Sequence, residues 1–233
     1  MKLRIKFTKS GVMKFIGHLD MMRYFQKAMR RADIDIAYST GFSPHQIMSF
    51  AAPLGVGLES NGEYFDIEAV SVTNASDMKK ALNAVMAEGV RVEGIWELPQ
   101  EAGNAMASVA AARYTVRFDA GYAVPFDLGE AVERFMEQEQ IRVTKQTKKS
   151  VKEMDLKPYI YEMKAENGLV SLFVDASSSG NIKPGLVMET LFLQNGQVFP
   201  ECILKITRED TYANTGTKEQ PVFVPLGEIG YAF

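Results

Sequence analysis

Residues 2–32 read KLRIKFTKSGVMKFIGHLDMMRYFQKAMRRA. Lys2/Leu3/Arg4/Ile5/Lys6/Phe7 alternates charge with hydrophobe, the period of a half-buried strand. Residues 18–32 change period. Leu19, Met22, Gln26 and Met29 fall at spacings of three and four, and Phe25 and Ala32 widen the apolar face, so a helix follows the strand. Two strands come next, Gln46–Ala52 and Tyr64–Val70, around a glycine-containing loop at Pro53–Gly62. Asn74 is an N-cap with Asp77 in the first turn of a second helix that stops near Gly89. Arg91–Leu98 closes the set. The order β-α-β-β-α-β is the split βαβ arrangement of a ferredoxin-like domain.

The second half repeats this order. Tyr114–Phe118 is a strand, and Asp127–Gln138 is an amphipathic helix with Leu128, Val132, Phe135 and Met136 inward. Tyr159–Ala165 and Leu169–Asp175 form a hairpin across Asn167-Gly168, a strong turn pair. Pro184 opens a helix that ends at Asn195-Gly196, and Glu201–Thr207 is the last strand. The expected fold is therefore α+β, with tandem ferredoxin-like domains, antiparallel sheets and helices on one face. The domains are residues 1–100 and 113–208, with a linker at 101–112 and a C-terminal tail at 209–233. The repeat lies in the pattern of elements only.

Charge is unevenly spread. Residues 1–31 hold nine Lys/Arg and one acid, a balance of +8 in a chain whose net charge is −3. The remainder therefore carries −11. Such asymmetry suits a polyanion or an acidic partner. No apolar run is long enough for a membrane helix, and the start lacks a signal peptide's apolar core. Cys202 is the one cysteine. It excludes an internal disulfide and makes the cytoplasm the expected location. It also excludes an iron–sulfur cluster held by this chain's own thiolates, which needs about four cysteines. No cofactor and no metal are expected.

Several constellations carry candidate chemistry. Arg23, Lys27 and Arg30 share a helix face at i, i+4 and i+7, with Arg31 adjacent, and such a row can track a phosphate backbone. Arg142, Lys145, Lys148, Lys149, Lys152 and Lys157 form a second basic run, interleaved with Thr144, Gln146, Thr147 and Ser150 as donors. Ser177-Ser-Ser-Gly-Asn-Ile-Lys183-Pro184 ends on a helix N-terminus and could seat a phosphate with Lys183. His18, Asp20 and His45 are the candidate acid–base groups. An offset of two does not put His18 and Asp20 on one helix face, which argues against a shared metal. Gly17, Tyr38, Ser39, Phe42, Ser43, Gly55 and Gly57 are expected to line a cleft with them. Each motif also has a purely structural reading: a solvated charge face, capped loops, a hairpin turn.

Gly17-His18-Leu19-Asp20, Arg30-Arg31-Ala32, Tyr38-Ser39-x-Gly41-Phe42-Ser43-Pro44-His45 and Pro53-Leu54-Gly55-Val56-Gly57 resemble one bacterial family of unknown function, the radical-SAM-linked family. Met154-Asp155-Leu156-Lys157-Pro158 and Asn181-Ile182-Lys183-Pro184 are similar to its second-half pattern. The resemblance spans most of residues 1–207. It implies work beside radical-SAM proteins, on RNA modification or the ribosome, and supplies no catalytic residues. Three functions follow as expectations. The first is a non-catalytic RNA-binding accessory, with tRNA or rRNA and possibly a radical-SAM protein as partners and no membrane. The second is an RNA-acting enzyme, with Asp20 as nucleophile if it is pseudouridine-synthase-like, or His18 or His45 as base if it is endoribonuclease-like. The third is a protein-binding adaptor. Gly-His-Leu-Asp is not the synthase motif, and Pro225-Leu-Gly-Glu-Ile-Gly-Tyr is too sparse for the glycine-rich loop of the endonucleases.

Overall fold

A computed structural model describes residues 1–72, 74–146, 151–199 and 204–233. The chain is mixed α and β, with mostly antiparallel strand pairing. It divides into two compact units, Met1–Ala110 with Arg208–Phe233, and Ala111–Thr207.

The first unit runs β1 (Lys2–Lys9), α1 (His18–Arg31), β2 (Asp35–Ile36), β3 (Met48–Phe50), β4 (Glu59–Ser71), α2 (Ala75–Ala84), β5 (Val90–Glu97) and the short α3 (Ala105–Ser108). β1 lies between β5 and β4, antiparallel to both. β2 and β3 pair with the C-terminal half of β4. Leu3, Ile5 and Phe7 of β1 share a core with Met21, Phe25 and Met29 of α1 and Met78 and Leu82 of α2. Phe7, Phe25, Phe50 and Phe65 sit at its centre, with Phe7–Phe25 and Phe25–Phe65 ring centroids both 4.6 Å apart. α1 is phased differently from the expected stripe. Met21, Phe25, Ala28 and Met29 are buried and Leu19 is exposed. The i, i+4, i+7, i+8 set around Phe25 removes more apolar area from water than a stripe through Gln26.

The second unit holds β6 (Ala111–Phe118), α4 (Leu128–Glu137), β7 (Arg142–Gln146), β8 (Val151–Asp155), β9 (Ile160–Glu166), β10 (Leu169–Asp175) and α5 (Pro184–Gln194). β10 pairs antiparallel with β6 and β9. Asn167 and Gly168 turn the β9–β10 hairpin with φ of 51° and 74°, the left-handed pair that a tight hairpin turn requires. Asp127 caps α4 by accepting from the Glu130 N–H at 2.9 Å. Val132 and Phe135 of α4 and Leu191 and Phe192 of α5 enter one core with Val116 and Leu172. β7 and β8 make their own two-stranded ladder, an element pair that the expected order does not contain.

Two boundaries differ from expectation. The 101–112 segment is not a plain linker: Asn104 caps α3 at Ala107 N, 2.8 Å, and Ala105 is fully buried. Residues 209–233 are not a separate tail. The last strand, β11 (Leu204–Asn214), runs seven residues past its expected end at Thr207 and neighbours β4. β12 (Phe223–Pro225) pairs with β11, and the turn Leu226–Ile229 and Phe233 belong to the same unit.

This segment explains a further difference. β1 is buried on both faces. Arg4, on the face away from α1, is fully buried and bidentate to its cross-strand neighbour Asp66 at 2.8 and 2.9 Å, and donates to the Leu226 carbonyl at 3.3 Å. Lys6 Nζ lies 2.7 Å from Asp210, which also accepts the Tyr64 hydroxyl at 2.7 Å. Burial, with Asp210 beside it, raises the Tyr64 pKa. Arg4 and Lys6, which make β1 look half-exposed, are thus paired beneath the C-terminal segment. Among the described residues, no helix is long and apolar enough to cross a membrane.

A close approach of two strand backbones occurs at Gly62, where an added Cβ would stand 2.5 Å from the Asp210 Cα and 2.7 Å from the Glu209 carbonyl oxygen. Neither strand backbone can yield cheaply. Gly62→Ala is expected to cost about 1–3 kcal/mol, read from urea unfolding. An unchanged midpoint would show that β4 and β11 part without penalty.

Candidate functional site

Most of the Gly-His-Leu-Asp region is organised by one buried polar cluster in the first unit. Gly17 is the N-cap of α1 and offers no side chain, so the helix begins with open N–H groups and Asp20 in the first turn. Ahead of it, Lys9 ends β1 almost fully buried and donates to the Ile16 carbonyl at 2.7 Å. That bond fixes the chain where it turns into α1. Arg208, at the start of the C-terminal segment, donates to Glu63 Oε1 at 2.9 Å and to the carbonyls of Ala52 and Pro53 at 3.2 and 3.4 Å. Arg208 and Glu63 are each 6% exposed at the side chain. The guanidinium therefore anchors the Pro53–Gly57 loop. Gly57, at φ +89°, returns that loop to the first by donating to the Lys14 carbonyl at 2.9 Å.

His18 is half-buried against this cluster, its ring edge-on to Phe50 with centroids 5.5 Å apart. Burial lowers its pKa below the ordinary value, Glu63 opposes the shift, and Lys9 adds to it. Desolvation likewise lowers the Lys9 pKa, against Glu63 and with Arg208. The imidazole is thus a neutral hydrogen-bonding group or base at the edge of a site whose floor carries two cations and one carboxylate.

The Tyr38–His45 loop is a separate construction. Ser39 Oγ lies 2.8 Å from His45 Nδ1 and accepts from the His45 N–H at 3.1 Å. Tyr38 and Gln46 bridge the loop's base. Phe42, Ser43 and His45 are exposed, Phe42 completely. Among the described residues, no hydrogen bond, ion pair or ring contact joins His18 or Asp20 to this loop, and no group of three His, Cys, Asp or Glu could hold a metal. His18 follows the turn that Lys9 holds at Ile16, and the loop carrying Gly55 and Gly57 is tied to Arg208 at Ala52 and Pro53 and to Lys14 at Gly57. The structure leaves Asp20 on the solvent side of α1 and His45 in its own loop.

The basic row stands on the exposed face of α1. Arg23, Lys27, Arg30 and Arg31 are all exposed. Arg23 pairs with Asp20 at 3.1 Å, and Arg31 donates to the Val85 carbonyl at 3.2 Å. Lys27 and Arg30 have no partner among the described residues. In the second unit Lys145 and Lys152 are directly opposed in the β7–β8 ladder. Lys148 and Lys149 lie outside the described residues, as do Thr147 and Ser150. Lys157 is not available to a ligand in the same way, because its ammonium donates to the Met136 carbonyl.

The expected phosphate seat before α5 is already filled. Asp175 Oδ1 accepts from the backbone N–H of Ser177 at 3.0 Å and of Asn181 at 3.2 Å, and from the Ser177 hydroxyl at 2.8 Å. A Cβ on Gly180 would collide with this carboxylate at 2.1 Å. The donors that would cradle an anion hold an internal one, whose charge repels another. Lys183 is exposed beside it as the N-cap of α5.

A family model described as "Uncharacterized protein conserved in bacteria (DUF2344)" matches residues 2–184. The chain belongs to that family. The match takes in all of the N-terminal motif, with Lys9, His18 and Glu63, and ends before Arg208. A comparison with curated proteins found no match.

Two outcomes test the cluster. Arg208→Met leaves Glu63 buried without its cation and is expected to cost about 3–5 kcal/mol, whereas Arg208→Met with Glu63→Met recovers most of that loss. Urea unfolding checks both; a single variant as stable as the parent would remove Arg208 as the anchor. For His18, the folded pKa lies below the unfolded value of 6.5. Its neutral form is the one the fold favours, so this contribution to stability is complete above pH 6.5 and is lost as pH falls through the folded pKa. An imidazole titration by NMR at or above 6.5 would contradict the assignment.

Proposed function

We propose that this protein is an RNA-binding accessory, with no catalysis of its own, serving a radical-SAM or ribosome- or tRNA-modifying system in the bacterial cytoplasm. The observation that carries the reading is the solvent face of α1. Arg23, Lys27, Arg30 and Arg31 are exposed together there, and only Arg23 has a carboxylate partner. Cations that stabilised the fold would be paired, as Arg4, Lys6 and Arg208 are. Cations left unpaired in a row are placed for an external polyanion. The opposed lysines of the β7–β8 ladder give the second unit a basic element of its own.

The element orders of both units support a tandem ferredoxin-like architecture. In the first unit the sheet order β5-β1-β4, with both helices on one face, is the order this fold uses. In such domains RNA often lies on the open sheet face. Here that face of the first unit carries Arg4–Asp66 and Lys6–Asp210 under the C-terminal segment, so the helix side is the surface proposed for RNA. The radical-SAM connection rests on the motif resemblance alone.

A second reading has one observation in its favour: a half-buried His18 held neutral at a helix start, next to Lys9 and Glu63, could take a proton from a ribose hydroxyl. Mass spectrometry of RNA incubated with the protein separates the two, since an accessory leaves the RNA unchanged.

With about four phosphates neutralised, log K for structured RNA is expected to fall against log[salt] with a slope of roughly −3 to −4. Replacing Arg23, Lys27 and Arg30 together by Glu should abolish binding at moderate salt in a filter or anisotropy assay. Unchanged affinity would clear this face of the role.

A further inference from the structure

The solvent row of α1 does not end in charge. Leu19, four residues before Arg23, begins the same row and is 66% exposed. Just before it, on the tight turn Gly11–Phe15, Phe15 is 63% exposed and Val12 75%. Val56, 62% exposed, belongs to the loop that Gly57 ties to this turn through the Lys14 carbonyl at 2.9 Å. Large apolar side chains left in water together mark an interaction surface. These do not face a gap in the core, because the buried side of α1 is complete without them.

The charge pattern indicates what covers them. Lys14 Nζ stands over the Phe15 ring, 5.4 Å from its centroid, and Arg23, Lys27 and Arg30 continue the row away from Leu19. From Leu19 to Arg30 is eleven residues, about 16 Å along the helix. An apolar, aromatic platform leading into a row of cations is the arrangement that single-stranded nucleic acid uses: bases lie on the platform and the backbone follows the charges. A duplex hides its base faces and would leave Phe15 and Leu19 in water. An acidic protein would satisfy the cations, yet nothing in the row's spacing selects it.

Resting on the RNA reading above, we infer that the Phe15–Leu19–Val56 patch is a base-docking platform and that the RNA recognised by α1 is unpaired at this point. Phe15 and Leu19 hold one or two bases; Lys14 and Arg23 exchange their carboxylate partners, Glu59 at 3.9 Å and Asp20 at 3.1 Å, for the phosphates beside them, and Lys27 and Arg30, which have no partner among the described residues, take those further on. Specificity is for strandedness, because a ring face and a leucine contact any base.

The test compares three fluorescein-labelled probes on the full chain: a short mixed-sequence RNA strand, the same strand in a blunt duplex, and an abasic ribose-phosphate strand of equal length. The parent protein is expected to prefer the single strand over the abasic strand by about tenfold or more. Phe15→Ala with Leu19→Ala should bring that ratio near one while leaving the salt slope unchanged, and Phe15→Tyr should keep the ratio. Both residues are exposed, so the fold survives these changes. If the single strand and the abasic strand bind alike, or if the double variant keeps the preference, the platform is overturned and the RNA reading stands. If none of the three probes binds, the RNA reading itself fails, and the platform with it.

Discussion

Arg208 is a cation sealed from water, and the His18 end of the first unit is built around it. Its guanidinium satisfies Glu63 and two backbone carbonyls at once. Burying a charge is tolerable only when it is paired and its donors are filled, and this arrangement meets both conditions. The consequence is connectivity. A residue late in the chain holds the Pro53–Gly57 loop, the loop holds the turn before α1, and Lys9 holds the residue before Gly17. The start of α1 is therefore set by Lys9 nearby and by two distant parts of the sequence, the Pro53–Gly57 loop and Arg208, which a local turn could not supply.

The same segment decides which face of the first sheet is open. Arg4 and Lys6 look like surface residues in the strand pattern, and their geometry shows why they are not. Asp66 stands directly across from Arg4 in register, and Asp210 and the Leu226 carbonyl arrive from the C-terminal segment. Such a polar layer trades hydrophobic stabilisation for specificity of pairing: a one-residue slip between β1 and β4 would strand Arg4 away from Asp66 in a dry site. Gly62 permits the close β4–β11 approach that brings Asp210 into place.

Much of this was legible in the sequence where the signal is local. The N-cap at Asn74, the Asn167-Gly168 turn, Pro184 at a helix start and most of the order of elements are set by neighbours in the chain, and local chemistry reports them. The misreadings share a cause. The sequence pattern phases α1 on Leu19, but burial is decided by what lies opposite, and Phe25 meets Phe7 and Phe65 from other strands. The loop before α5 advertised donors, while its acceptor, Asp175, sits at the end of a strand and reads as an ordinary turn acid. Residues 209–233 carried prolines and glycines that mask a strand continuing past Thr207. Lys9, Glu63 and Arg208 were invisible as a cluster because no spacing links them; three charges in otherwise buried strand positions were the one available hint. For the candidate site, the sequence singled out His18, whose ring feels the charges of Lys9 and Glu63, and the glycines of the loop that Arg208 anchors at Ala52 and Pro53. It also grouped them with His45, which the fold keeps in a self-contained loop.

That division bears on how a ligand would be met. A site made from His18 and His45 together would have joined two loops into one cleft with acid–base capacity. The structure instead shows a buried cluster whose charges are paired or hydrogen-bonded internally, and an outer surface with exposed cations, two of them unpartnered among the described residues, and bare apolar groups. Groups already paired inside gain little from a partner, since any new bond must first break an old one. Groups left unpaired in water lose nothing but hydration on binding, and for lysine and arginine against phosphate the released counterions favour the exchange. On these terms the interior of the first unit positions α1, and the exposed face of α1 has the free valence to bind.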